Sequence, residues 1–402
     1  VQAYNYRFSL SNEPGNIRLP EKPPGYKREE YVDYYRLFMG AGRLNGKASF
    51  NSAILPGENH AYPEATWPER ETIIERHKNF ALGLMWFLQN DESVRPESRE
   101  RYRSIGLPLD EFPDNDNIPY EMYVREARRI VGRHVFTEHD NRAAPGLTRP
   151  PIYPDSIAFT DWAMDSHDCT WDRSPGYAYD GKLILTEESR PAQIPWRSLL
   201  PQGVDNLIVP VCLSATHVAW GAVRLEPVWM MAGEAAGLAA ALARRQGTTP
   251  GQLDADLLLR ALCEKRHFIS FFNDLESAAM HPAMPAAQYF AARGFFPDYN
   301  ARLDEPLTEA ESRAWDEGLT ALREGRLDVM TFAKQVRQAE TTDSPKLERT
   351  RGEGMLSMWH AVSGVHRRAA YVKEPRNFIR HGERRRRFIG PHAIELPNDD
   401  LL

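Results

Sequence analysis

A chain of 402 residues, 42% apolar and 26% charged, is long enough to bury a large core and to carry a second region or an extension. Its net charge of -6 gives no general attraction to nucleic acid, and no apolar run reaches the roughly 20 residues that cross a bilayer. Three widely spaced cysteines, Cys169, Cys212 and Cys263, exclude a disulfide framework and a zinc knuckle.

The opening VQAYNYRFSL reads as a strand and lacks the basic-then-apolar pattern of a signal peptide, which leads to the expectation of a chain cut from something longer. The Pro/Gly-rich SNEPGNIRLPEKPPGY that follows reads as an ordered surface loop. A helix is expected over about Glu71 to Asn90, with Ile73, Ile74, Phe80, Leu84 and Phe87 or Leu88 on its buried face and Pro68 near its start. GAGRLNG, at Gly40–Gly46, has neither a buried strand before it nor a good helix after it and reads as a surface turn.

From Asn115 to Gly181 the chain is rich in Asp, His, Tyr, Trp, Arg and Pro, a composition suited to a binding surface. REARR places Arg125, Arg128 and Arg129 around one carboxylate. Arg125 or Arg129 would then orient an anionic substrate by bidentate contact, or the group is solvated and internally paired. DWAMDSHDCTWD gathers Asp161, Asp165, His167, Asp168 and Asp172 near Trp162 and Trp171, in a spacing that matches no metal motif and suits a polar pocket wall. With Tyr177 and Tyr179 the tryptophans suit either a stacking pocket or a half-buried core.

Residues 205–247 are the most informative. DNLIVPVC reads as a buried strand, the stretch from Ser214 as a polar loop, and Glu226 and Pro227 as the start of a helix. That start would leave the amides of Val228 and Trp229 as free donors at the positive end of the helix dipole. Gly233, Ala236, Gly237 and Ala240 share one face, open to close approach by a backbone or a cofactor, or simply packed as a core helix. Arg224 and Glu226 are expected to pair and fix the loop, or Arg224 faces a carboxylate on the substrate. Beyond Gly247 charged helices follow, one starting at the capping box of Thr308 and Glu311, before a tail that contains Arg384–Arg387.

QAYNYR, YVREARRIVG, DSH, IPWRSLLP, NLIVPVC, SATHVAWGAVRLEPVWM and GEAAGLAAALA occur in that order from about Gln2 to Gln246. Together they resemble a bacterial group of FAD-dependent oxidoreductases with the glutathione-reductase-type fold. The resemblance implies a mixed α/β (α+β) chain: a substrate-domain-like region over 1–204, a C-terminal FAD-contacting strand, loop and helix over 205–247, and a helical extension with a peripheral tail over 248–402. It implies FAD as cofactor and a small-molecule substrate; charge, apolar run length and ligand spacing give no expectation of nucleic acid, membrane or metal.

The GxGxxG turn with which such enzymes bind the FAD pyrophosphate is not present, so an N-terminal FAD-binding segment or subunit is expected as partner. The alternative is a catalytically silent binding subunit or fragment. His217 is the expected proton-handling residue. Ser214, Ala215, Thr216, Arg224, Pro227, Val228 and Trp229 are expected at the flavin, and Arg125, Arg129, Asp165 and His167 at the substrate.

Overall fold

The computed structural model describes residues 1–34, 40–42, 47–51, 53–172, 174–176, 179–275 and 280–363. They fall into two compact units, one of Val1–Ala127 with His167–Gly181 and one of Arg128–Ser166 with the residues from Lys182 onward. The architecture is mixed α/β, with small antiparallel sheets among helices.

In the first unit β1 (Phe8–Leu10), β2 (Gly40–Gly42) and β3 (Ala48–Phe50) form an antiparallel sheet with β3 in the middle. Phe8 stands opposite Phe50 and the two rings stack with centroids 6.0 Å apart. The glycine-rich stretch therefore begins as strand: Gly40 pairs with Phe50 and Gly42 with Ala48, whereas a dinucleotide turn opens a helix. The remainder of that stretch, 43–46, lies outside the described residues. The Pro/Gly segment after β1 is mostly exposed irregular chain, with Gly15 and Gly25 at φ 86° and 70°.

Helix α1 (Trp67–Asn90) begins four residues ahead of the expected start. The reason is a capping box that the apolar spacing alone does not reveal: Glu69 Oε2 accepts from the Thr66 amide at 2.7 Å and from its hydroxyl at 2.8 Å, with Pro68 in the first turn. Phe80, Leu84, Phe87 and Leu88 are buried as expected, and Tyr31 stacks on Phe80 at 5.2 Å. α2 (Pro96–Arg103) is tied back by Gln89, whose amide donates to Tyr102 O and Ile105 O.

The second unit is built on two strand pairs. β4 (Ser156–Thr160) pairs with β7 (Ala192–Pro195), and β5 (Met164–Ser166) pairs with β6 (Leu183–Leu185), both antiparallel. α3 (His217–Val223) and α4 (Glu226–Gln246) follow, and Gly247 ends α4 in the left-handed conformation at φ 66°. α4 buries Val228, Ala232, Ala235, Ala239 and Ala243, a stripe of small side chains against the core.

The C-terminal helices belong to the same core. α5 (Ala255–Glu264), α6 (Met284–Ala291), β8 (Pro306–Thr308), α7 (Glu309–Arg323), α8 (Val329–Glu340), β9 (Lys346–Thr350) and α9 (Arg351–Ser363) complete the described chain. The Thr308–Glu311 capping box forms as expected, with Glu311 Oε2 accepting from the Thr308 amide at 2.9 Å. Buried Arg351 joins α9 to Glu311 of α7 and, at 3.1 Å, to Glu340 of α8. The tail with Arg384–Arg387 lies outside the described residues.

One expected strand does not form. Residues 205–212 are irregular, and Leu207 and Val211 are 46% and 45% exposed. Only scattered hydrogen bonds hold the run, such as Ile130 N to Cys212 O and Val209 N to Leu199 O, with no partner strand among the described residues to complete a ladder.

Candidate functional site

The segment expected to carry chemistry is fixed by a second chain segment beside it. Phe136 N donates to Ser214 O at 3.0 Å, and Thr216 N donates to Phe136 O at 2.9 Å. Ser214 N donates to Ser198 O, and Arg129 Nε donates to Ala215 O at 2.8 Å. These backbone groups of Ser214, Ala215 and Thr216 are thus engaged in scaffolding.

Below Phe136, Asp140 accepts from the Thr137 amide and from Tyr153 Oη, with His134 Nε2 3.5 Å away. Burial would raise the Asp140 carboxyl, but His134, Tyr153 and Thr137 outweigh it and hold the group below the usual carboxylate range. The sequence reading missed this Tyr–Asp–His cluster, because its members are up to 19 residues apart in a stretch without periodicity.

His217 is not in a loop, as expected, but is the first residue of α3. Thr216 caps that helix, its Oγ1 accepting from Ala219 N at 3.3 Å. The cap starts a seven-residue helix inside a stretch expected to be loop up to Glu226. His217 and Gly221 are four apart and share a face. A Cβ on Gly221 would lie 2.4 Å from Asp165 O and 2.5 Å from Asp165 N, so β5 is seated directly against that face.

The seating brings Ser166 Oγ to 3.2 Å from His217 Nε2. Ser166 is fully buried and Asp165 only partly, the alternation that a strand imposes on neighbouring residues. Asp165 takes the other side of the relationship, accepting from Arg224 Nη2 at 3.4 Å. The expected Arg224–Glu226 pair is therefore replaced by Arg224–Asp165, since Glu226 opens α4 on its exposed side while Arg224 is buried. Ser166 was passed over in the motif DSH, although it is the member that reaches the imidazole.

At the start of α4 the amides of Val228 and Trp229 are not free: they donate to Leu225 O at 3.1 and 3.4 Å. Pro227 occupies the first turn as expected. The Trp229 ring lies 6.3 Å from that of Trp220, on which the Arg129 guanidinium stacks at 5.3 Å. The Trp229 indole N–H is buried without a partner among the described residues. Gly233 and Gly237 face open space, with nothing within 4 Å of an added Cβ, while Ala236 on the same face is buried and the alanine stripe packs on the core.

The other substrate-side candidates lie in the first unit. Arg125 is buried and donates to Ala3 O at 2.7 Å and to Asn51 Oδ1 at 2.9 Å, while Glu126 Oε2 accepts from the Gln2 amide. The His167 amide donates to Gln2 Oε1 at 3.3 Å. Trp171 and Tyr179 meet edge to face at 6.3 Å, and Tyr177 lies outside the described residues.

A family model described as FAD dependent oxidoreductase matches residues 1–262, which include every one of these positions. The chain belongs to the FAD dependent oxidoreductase family. No curated protein and no solved structure gives a match. The family's cofactor is FAD, and its members act on small molecules.

Features of the chain suit that cofactor. The Trp229 indole N–H lacks an acceptor, and the pyrimidine edge of a flavin carries carbonyl oxygens. The first turn of a 21-residue helix adds a positive dipole end. The bare glycines of α4 leave room for a ring or chain to lie against the backbone. No helix among the described residues is long and apolar enough to cross a membrane.

Proposed function

We propose that FAD contacts the segment from Ser214 to Trp229 and that a small organic substrate exchanges hydride with it there, His217 handling the proton. The observation that carries this reading is the 3.2 Å contact of Ser166 Oγ with His217 Nε2. FAD, when bound, supplies the hydride-accepting or hydride-donating ring.

The residues of the chain do the rest. Ser166 fixes the orientation of the imidazole, which leaves Nδ1 at a defined position, and an imidazole changes charge near neutral pH, as a proton carrier requires. Arg224 holds Asp165, and with it the strand against which α3 sits. Ser214, Ala215 and Thr216 keep that loop in place, and Pro227, Val228 and Trp229 present the helix start. Asp165 and Arg129, in the same unit as His217, are the first candidates for substrate contact.

The reading includes a nucleotide-binding half carried by a further segment or subunit. Its support is apolar surface on two hydrogen-bonded segments: Val131 is 67%, Val204 47%, Leu207 46% and Val211 45% exposed. Surface of this kind marks a face that something covers. On this reading 1–204 is the substrate side, 205–247 the flavin contact and 248–402 an extension. A catalytically silent binding subunit is the second reading, favoured by the same exposed surface.

The test is the absorption spectrum of the full chain titrated with FAD, alone and with the nucleotide-binding half of another family member. Flavin bands that shift on binding in either mixture support the proposal. Uptake by the chain alone eliminates the silent subunit, and no uptake in either mixture eliminates the flavin reading.

A further inference from the structure

The second unit contains a cleft of about 550 Å3 that the oxidoreductase reading does not use. It lies among α5, α6, α7, the α7–α8 turn and α9, so most of its lining falls beyond residue 262, where the family match ends. Its size is within the roughly 300–1,000 Å3 typical of small-molecule sites.

The two walls differ in chemistry. Leu319, Leu322, Leu327 and Val362 form an apolar wall, each only partly buried and packed on the main core. Opposite them Asp256 accepts from Tyr289 Oη at 2.8 Å and from Arg293 Nη2, and forms an ion pair with Arg260, whose Nε lies 2.9 Å away. One carboxylate thus serves two guanidinium groups, and a positive charge is left over.

A third cation stands on the rim. Arg323, in the last turn of α7, is exposed and has no ion-pair partner among the described residues. The other acid in the lining, Asp328, is engaged as the cap of α8, where it accepts from the amides of Met330 and Thr331 at 3.0 and 2.9 Å. Three arginines against two aspartates leave the cleft cationic beside a bare aliphatic surface.

A cationic rim alone is an ordinary solvated surface, and an exposed leucine alone is equally ordinary. Their apposition in one cleft selects a molecule that has both characters. We propose that this cleft binds an amphipathic monoanion, with an aliphatic body on the Leu319–Leu322 wall and a carboxylate-like head toward Arg260 and Arg323. The site is independent of the flavin contact, and either proposal stands if the other fails.

Decanoate is the probe, and decanol is its uncharged counterpart; both are titrated calorimetrically into the full chain below their aggregation concentrations. Saturable one-to-one decanoate binding is expected, weakened about tenfold or more by Arg323→Glu and by Leu322→Asp, with decanol at least about tenfold weaker than decanoate. Circular dichroism and the unfolding midpoint check the variants. Arg323→Glu, on an exposed and unpaired residue, decides the matter if Leu322→Asp unfolds. Absence of saturable decanoate binding, equal affinity for decanol, or unchanged affinity in Arg323→Glu overturns the proposal.

Discussion

Ser166 Oγ lies 3.2 Å from His217 Nε2, across the junction of β5 and α3. Replacing His217 by alanine is expected to slow reduction of the bound flavin by substrate about 10²–10⁴-fold while FAD affinity changes little. Ser166→Ala keeps the imidazole but removes one contact that orients it, so a smaller loss with an altered pH profile is expected. Rapid-mixing measurement of flavin absorbance checks both, and unaltered reduction in His217→Ala removes that residue from the mechanism.

Gly221 is where β5 and α3 touch. A methyl group there meets the Asp165 backbone at 2.4–2.8 Å, and backbone cannot move aside cheaply. Gly221→Ala is expected to destabilise the second unit by about 1–3 kcal/mol and to separate Ser166 from His217. Denaturant unfolding measures the first effect. A variant as stable as the parent would show that α3 is not seated as described.

Gly233 and Gly237 give the opposite expectation. Nothing lies within 4 Å of an added Cβ at either position, so alanine at each is expected to stabilise the chain by roughly 0.5–1 kcal/mol through helix propensity. If the glycine positions of α4 receive the flavin or its nucleotide-binding half, the same changes reduce FAD uptake. Stabilisation with undiminished uptake would move the contact elsewhere.

Asp91 provides a pH test of the first unit. Burial would raise its carboxyl, but the Arg28 guanidinium at 2.7 Å and Ser93 outweigh that and hold it at about 2. The folded value is below the unfolded one, so this stabilisation is fully present above about pH 4 and is lost as the pH falls through about 2. Arg28 is 55% exposed, so water screens the pair and weakens it. Acid unfolding of Asp91→Asn should lack this component between about pH 4 and 2.

The sequence made local signals legible wherever one short motif carries the physics. The capping box at Thr308 and Glu311 formed as read, and so did the start of α4 at Glu226 and Pro227. The box at Thr66 has the same chemistry but stands before the apolar period begins, so the period placed α1 four residues late. Apolar content misled at 205–212, because a hydrophobic run becomes a strand only beside a strand to pair with.

Tertiary pairing was illegible for a different reason. Arg224 has Glu226 two residues away and Asp165 across the fold, and only the burial of the α3–β5 contact selects the distant partner. Ser166 was hidden between two more conspicuous residues, and strand alternation is what turns it inward. The cluster of His134, Asp140 and Tyr153 has no sequence period at all.

His217 is proposed to exchange a proton in step with the flavin. The most direct measurement is the reduction potential of the bound flavin against pH, in the parent protein and in His217→Ala. In the range where the imidazole titrates, the parent is expected to take up one more proton per two electrons, a slope steeper by about 30 mV per pH unit. Identical slopes in the two proteins would contradict the account.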